Sequence, residues 1–315
     1  MRDTAILLLN LGGPVSLAQV EPFLVALFGD RDLIRLPGPA WLQPTFARLI
    51  ARLRAPGARG RYAEIGGGSP LLRESALQAS ALRQALREAG RDEAVKLCFR
   101  YAAPRAAGLL RALQREGIRR LVPVTLYPHD CRATTGSSLR ELAVEAAKAG
   151  LELLPGVESY ATDPDYLEAL ARPLRAALKE LPEATVVFSA HSLPVRQIEA
   201  GDPYEREIHA TMDALVASLG PLPGGHQLAY QSRTGPVRWL EPPLKAVLEA
   251  LGGKDVIVVP LSFVSEHIET LHELDIEYRE VAHKAGVRTY QRVAAPGADP
   301  AYIRCLTRRV LEVLP

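Results

Sequence analysis

His191 closes an apolar run, Thr185-Val186-Val187-Phe188-Ser189-Ala190-His191-Ser192-Leu193-Pro194, and is followed by a turn rather than a phosphate-binding loop. An imidazole at the end of a buried strand can take a proton or ligate a metal near neutral pH. By itself such a histidine is more often structural. The second chemistry-bearing segment runs from Leu261 to Tyr278. A helix beginning near Val264 places Glu269, Glu273 and Glu277 at i, i+4 and i+8, with Glu266 near the same ridge. Like charges at this spacing disfavour a helix by ~0.2–0.5 kcal/mol per pair unless a cation or shared protons relieve them. A solvated acidic face is the plain alternative. Against it, the segment follows Asp255–Leu261, the most apolar strand of the chain. His191 and Glu269 together supply a base and a carboxylate, a mixed donor pair suited to a weakly held first-row divalent metal. There is no HExxH motif, so spacing alone does not name the metal.

These residues need elements to position them. Short β-branched or Leu-rich runs near 4–9, 96–101, 120–126, 152–157, 185–190, 227–231, 255–262 and 287–291 alternate with helical patterns. That alternation predicts an α/β fold of two similar doubly wound domains, each with a four-stranded, mainly parallel sheet flanked by helices. Strands as apolar as Asp255–Leu261 are buried on both faces. In such sheets ligands bind beyond the carboxyl ends of the strands, where His191 and the acidic segment fall. Ser137-Ser138 and Asp163-Pro164-Asp165 mark helix starts. The second of these helices separates the two strand sets, dividing the chain into domains 1–158 and 159–315.

An insertion at about 30–75 interrupts the first domain. Within Trp41–Arg54, Phe46, Leu49, Ile50 and Leu53 recur at helical spacing, which fits an amphipathic helix packed on its own domain. The sharper reading is an apolar lip for a flat ligand or a membrane surface, with Arg48, Arg52 and Arg54 on its polar side. Asn10-Leu11-Gly12-Gly13-Pro14 and Ile65-Gly66-Gly67-Gly68-Ser69-Pro70 match neither a dinucleotide fingerprint nor a Walker loop. Either could let backbone approach a ligand, or simply turn.

Among 315 residues, 48% are hydrophobic and 23% charged, with a formal net charge of +2, which marks an ordinary globular protein. Arg and Glu alternate along the helices instead of forming basic blocks, which argues against a nucleic-acid partner. No run approaches the ~18 apolar residues of a membrane span, and the N-terminus lacks the pattern of a signal peptide. Cys98, Cys131 and Cys305 are widely spaced and odd in number, as in a reducing compartment, so the expected location is the cytoplasm.

Phe188-Ser189-Ala190-His191-Ser192-Leu193-Pro194, followed by Gly201-Asp202-Pro203-Tyr204, resembles the ferrochelatase signature. The resemblance runs through Asn10–Pro14, Phe23-Leu24 to Leu36-Pro37, Tyr62 to Pro70, Phe99-Arg100-Tyr101 and Tyr127-Pro128 to Ser138. It continues through Gln231-Ser232-Arg233 to Trp239-Leu240 and Ser265 to Leu271. It implies an enzyme of haem biosynthesis that grips a porphyrin in a cleft between the domains, inserts Fe²⁺ as substrate and releases two protons. On this resemblance His191 accepts pyrrole protons or ligates iron, and Glu269 is the second principal catalytic and metal-binding position. Glu266, Glu273 and Glu277 would carry metal in or protons out along a π-type helix. Tyr62, Ser69, Arg100, Tyr101, Tyr127 and Trp239 would line the porphyrin pocket or meet its propionates, and Arg54 of the lip is grouped with them.

The chain stops at Pro315, without the cysteine-bearing C-terminal extension of cluster-containing members. Its three cysteines fall short of the four thiolates of a 2Fe–2S cluster, so no permanently bound cofactor is expected. Membrane attachment then rests on the lip alone. Gly12-Gly13 and Gly66–Ser69 are similar to the protoporphyrin-using branch; the coproporphyrin-using branch commonly carries a tyrosine in the first loop. The implied reaction is therefore insertion of Fe²⁺ into protoporphyrin IX. The alternatives are a coproporphyrin III ferrochelatase, a cobalt chelatase and a non-catalytic tetrapyrrole carrier. The oligomeric state is left open.

Overall fold

The computed structural model describes residues 3–34, 38–233 and 235–315; Leu36 and Pro37 of the family-like segment lie outside them. The chain forms two compact units, one of Met1–Tyr127, Cys131–Glu158 and Leu306–Pro315, the other of Pro128–Asp130 and Ser159–Cys305.

In the first unit, β1 (Thr4–Asn10) is followed by α1 (Val20–Gly29), α2 (Gln43–Glu64) and α3 (Leu71–Glu88). Then come β2 (Ala94–Phe99), α4 (Ala106–Arg115), β3 (Arg120–Thr125), α5 (Ser137–Ala149) and β4 (Glu152–Leu153). The sheet order is β2-β1-β3-β4, and every pairing is parallel. All seven residues of β1 are buried, as a strand covered by helices on both faces requires. The fourth strand is shorter than its sequence suggests because Pro155 has no N–H and Gly156 presses against Pro123; pairing resumes only at the Val124–Val157 bridge.

The second unit holds α6 (Pro164–Glu180), β5 (Thr185–His191), α7 (Val195–Glu199), α8 (Tyr204–Leu219), β6 (His226–Gln231), α9 (Leu244–Glu249) and β7 (Asp255–Pro260). A π-helix (Glu269–Tyr278), α10 (Arg279–Lys284), β8 (Thr289–Arg292) and α11 (Pro300–Val313) follow, α11 ending within the residues of the first unit. Its sheet order, β6-β5-β7-β8, repeats the first. The chain leaves β5 toward one side and returns on the other, so the β5 end is a topological switch point, where α/β sheets open a crevice. The carboxyl end of β5 is His191.

Two expectations are corrected. The α2 segment does pack, but through Ala47, Ala51, Ala55 and Ala58, whose small side chains let it lie close to Phe28 and Leu24 of α1. Of the large apolar residues only Ile50 joins that core; Trp41 is 75% exposed, Leu49 55% and Leu53 73%. The acidic helix begins at Ile268, not near Val264. Thr270 Oγ1 accepts the His267 N–H and donates to the His267 carbonyl, both at 3.0 Å, and so starts the helix after a loop.

Candidate active site

In the second unit the His191 ring and the Glu269 carboxylate meet, with Nδ1 3.2 Å from Oε2. His267 brings its Nε2 to 3.5 Å of the same oxygen. The Phe263 ring stands edge-on to both imidazoles, 6.4 Å from His191 and 4.3 Å from His267. About a third of each side chain of the central pair is open to solvent, so a substrate can reach it. Burial opposes charge on the His191 ring, but the adjacent Glu269 carboxylate outweighs it and raises the ring's pKa. Burial likewise opposes charge on Glu269, yet His191 and His267 hold its carboxyl well below the usual range. The two shifts act in the same sense, each group favouring the charged form of the other.

The end of β6 fixes the next carboxylate along the π-helix. Gln231 Nε2 donates to the Glu269 carbonyl at 2.9 Å and to Glu273 Oε2 at 3.0 Å. The Ser232 N–H donates to Glu273 Oε1 at 2.7 Å and its hydroxyl to Oε2 at 2.5 Å. Among the described residues Ser232 is the one non-glycine with positive φ, 64°, a left-handed conformation that turns both donors toward Glu273. Burial and the neighbouring Glu269 charge nevertheless raise the Glu273 pKa. Glu277, about half exposed, lies 3.5 Å from His272 Nδ1, farther out along the helix.

Glu266 stands apart from this ridge. Its Oε1 accepts from Arg292 and from the Ala295 N–H, both at 2.9 Å, and Arg292 lowers its pKa against the effect of burial. Glu266 therefore anchors the loop before the helix instead of joining the carboxylate row. Trp239 bridges to Pro194 in the antiparallel sense, while its carbonyl and that of Leu240 accept from Arg233.

The remaining sequence candidates belong to the first unit. Arg100 and Tyr101 follow β2, their N–H groups donating to the carbonyls of Asn10 and Leu11 at 2.9 Å. Arg100 reaches Asp30 at 2.6 Å, Ser137 at 2.9 Å and Glu141 at 2.9 Å. The Tyr101 hydroxyl and the Ser137 hydroxyl also donate to Asp30, at 2.7 Å and 3.0 Å. The Arg100 guanidinium is thus balanced internally by two carboxylates. Tyr127 lies 3.4 Å from the Ser138 hydroxyl, Tyr62 is buried on α2, and Arg54 is exposed with its guanidinium over the Phe28 ring.

Ser69 is buried against the first glycine loop. A Cβ on Gly13 would lie 2.5 Å from the Ser69 side chain, and the Ser69 N–H donates to the Pro14 carbonyl at 2.6 Å. Gly12 has φ +77° and no room for a Cβ beside Ala102 and Phe99. Gly12, Gly13 and Gly68 serve close packing against neighbouring chain, whereas Gly66 and Gly67 have positive φ and open space around them.

Asp30, Gln231, Ser232, Phe263 and Tyr204 (whose hydroxyl bonds the His191 carbonyl) escaped assignment from sequence. The polar Gln231-Ser232 pair ending a buried strand was the available signal. The sequence around Asp30 gives no sign of this role, because Arg100, Tyr101 and Ser137 are 70 or more positions away.

A ferrochelatase family model matches residues 3–314. The chain belongs to the ferrochelatase family. The ferrochelatase of Geobacter metallireducens is 45% identical over 96% of this chain and 96% of its own length. That of a Synechococcus species is also 45% identical, over 98% of this chain and 93% of its own. Membership makes the chain a metal-inserting porphyrin chelatase, a lyase of haem biosynthesis. Among solved structures, SirB from Bacillus subtilis with Fe³⁺ aligns over 98% of this chain and 95% of its own with a TM-score of 0.57. At 15% identity that likeness concerns the fold. Among the described residues no helix is long and apolar enough to cross a membrane.

Proposed function

We propose that this ferrochelatase inserts Fe²⁺ into protoporphyrin IX, with His191 as the base that takes pyrrole protons and His191 and Glu269 as the groups that meet the iron. The observation that carries this reading is the 3.2 Å pairing of an imidazole and a carboxylate at the sheet's switch point, with Gln231 tying the Glu273 carboxylate to the Glu269 backbone carbonyl. One nitrogen and one carboxylate form an incomplete donor set, suited to a metal passing through. Fe²⁺ is accordingly substrate; three cysteines, all buried, give too few thiolates for an iron–sulfur cluster.

A protonated ring cannot accept a further proton. An arriving dication disfavours that charge and pulls on Glu269, so the ring gives up its proton and becomes a competent base. Glu273, whose pKa is raised, is placed to take protons from the pair, and Glu277 continues the row toward solvent. Substrate choice rests on the loop after β1, Asn10–Pro14, which carries no tyrosine. The exposed Trp41, Leu49 and Leu53, beside Arg48 and Arg52, support peripheral contact with a membrane surface.

Loss of porphyrin fluorescence on Fe²⁺ addition, run with protoporphyrin IX and coproporphyrin III in parallel, tests the reading. Protoporphyrin turnover is expected to dominate, and His191→Ala and Glu269→Gln each to lower it roughly 10²–10⁴-fold. Undiminished turnover in either variant removes that residue's role; a preference for coproporphyrin III overturns the substrate assignment.

A further inference from the structure

The sheet beside His191 is incomplete. β5 pairs with β7 only as far as Ser189↔Pro260, and the Leu261 N–H then closes on the Ser189 carbonyl at 2.8 Å. On the other edge pairing continues to His191↔Gln231, and the Ser192 N–H donates to the Gln231 carbonyl at 2.9 Å. Peptide groups alternate sides along a strand, so the N–H and C=O of His191 face the edge that β7 has left. Unpaired there, two main-chain polar groups would cost ~1–3 kcal/mol each.

Side chains replace the missing strand. The His191 N–H donates to Ser262 Oγ at 2.9 Å, and the Tyr204 hydroxyl donates to the His191 carbonyl at 2.9 Å. The two hydroxyl oxygens are 2.6 Å apart. With the Tyr204 proton committed to the carbonyl, the Ser262 proton goes to the tyrosine oxygen. Three hydrogen bonds then close a ring around one residue's backbone. Tyr204 is itself buried and edge-on to His129, whose Nε2 is bonded to Thr211 at 2.8 Å, so the ring is held from behind.

We infer that Tyr204 and Ser262 are positioning residues that fix the His191 backbone and so aim its imidazole at Glu269. Freed from the ring, the end of β5 can twist, and the 3.2 Å contact with Glu269 opens. The consequence for turnover rests on His191 being the base, while the consequence for the ring's orientation does not.

Tyr204→Phe removes only the hydroxyl and leaves the packed ring in place. In the full-length protein, kcat for Fe²⁺ insertion is expected to fall about 10- to 100-fold, with KM for porphyrin within roughly twofold. A crystal structure of the variant is expected to show the His191 imidazole turned away, with Nδ1 well beyond the wild-type 3.2 Å from Glu269 Oε2. Ser262→Ala should match it, Ser262→Thr should restore both readouts, and the double variant should be no worse than the poorer single, since either change opens the same ring. An unchanged His191–Glu269 contact in Tyr204→Phe, or additive losses in the double variant, overturns the inference. If His191→Ala retains full turnover, the base assignment fails, and the crystal structure of Tyr204→Phe still decides whether Tyr204 positions the ring.

Discussion

The paired charges of His191 and Glu269 couple the candidate chemistry to pH. The His191 pKa is raised on folding, so its pairing stabilises the fold fully below about pH 6.5 and loses that effect as pH rises through the folded value. The Glu269 pKa is depressed, so its contribution is present above about pH 4.3 and is lost as pH falls through the folded value. Glu269→Gln should therefore lower Tm most between about pH 4.5 and 6.5, with the deficit shrinking as pH rises through the folded His191 value. A Tm deficit independent of pH would show that the two groups are not charged together. Proton acceptance runs the other way, because the ring must be neutral. Residue types were legible here: His191, Glu269 and Glu273 stand out in the chain. That Arg100 is occupied by Asp30 and Glu141 was not, since nothing local forecasts a partner brought in from another element.

The π-helix depends on the elements packed against it. Arg292, at the end of β8 with 8% of its side chain exposed, reaches Asp275 within the helix at 2.6 Å and Glu266 before it at 2.9 Å. One buried guanidinium thus ties the loop to the helix that carries Glu269 and Glu273. Arg292→Met removes the nearest cation from two largely buried carboxylates, with Arg279 still 3.8 Å from Asp275. It should cost roughly 3–5 kcal/mol in chemical denaturation, more than an exposed pair is worth. A loss below about 1 kcal/mol would mean that the carboxylates find other partners or take up protons. Hydrophobic pattern located this helix and its acidic positions. It missed the starting residue, because the start is set by Thr270 turning back on His267 and by Glu266 pairing with β8.

At the scale of the whole chain, two sheets of the same strand order each place a loop at the end of their first strand, Asn10–Pro14 in one unit and His191–Pro194 in the other. The exposed apolar face of α2 belongs to this scale too, since no described partner within its unit covers Trp41, Leu49 and Leu53 as the alanine face is covered. The protein should co-sediment with vesicles containing anionic lipid, and Trp41→Ala with Leu53→Ser should reduce that binding at least several-fold without affecting turnover of a dispersed porphyrin. Equal binding by the variant would reject membrane contact through this face. The amino-acid sequence by itself determined the α/β class, the strand alternation and the residue types of the candidate His191–Glu269 pair, because burial pattern and residue type are written locally. Tertiary structure alone decided which alanines pack α2, which carboxylate Arg292 takes out of the acidic row, and which hydroxyls complete the sheet at His191. Those outcomes depend on side chains far apart in the chain satisfying one another's hydrogen bonds and charges, and no local pattern records such pairings.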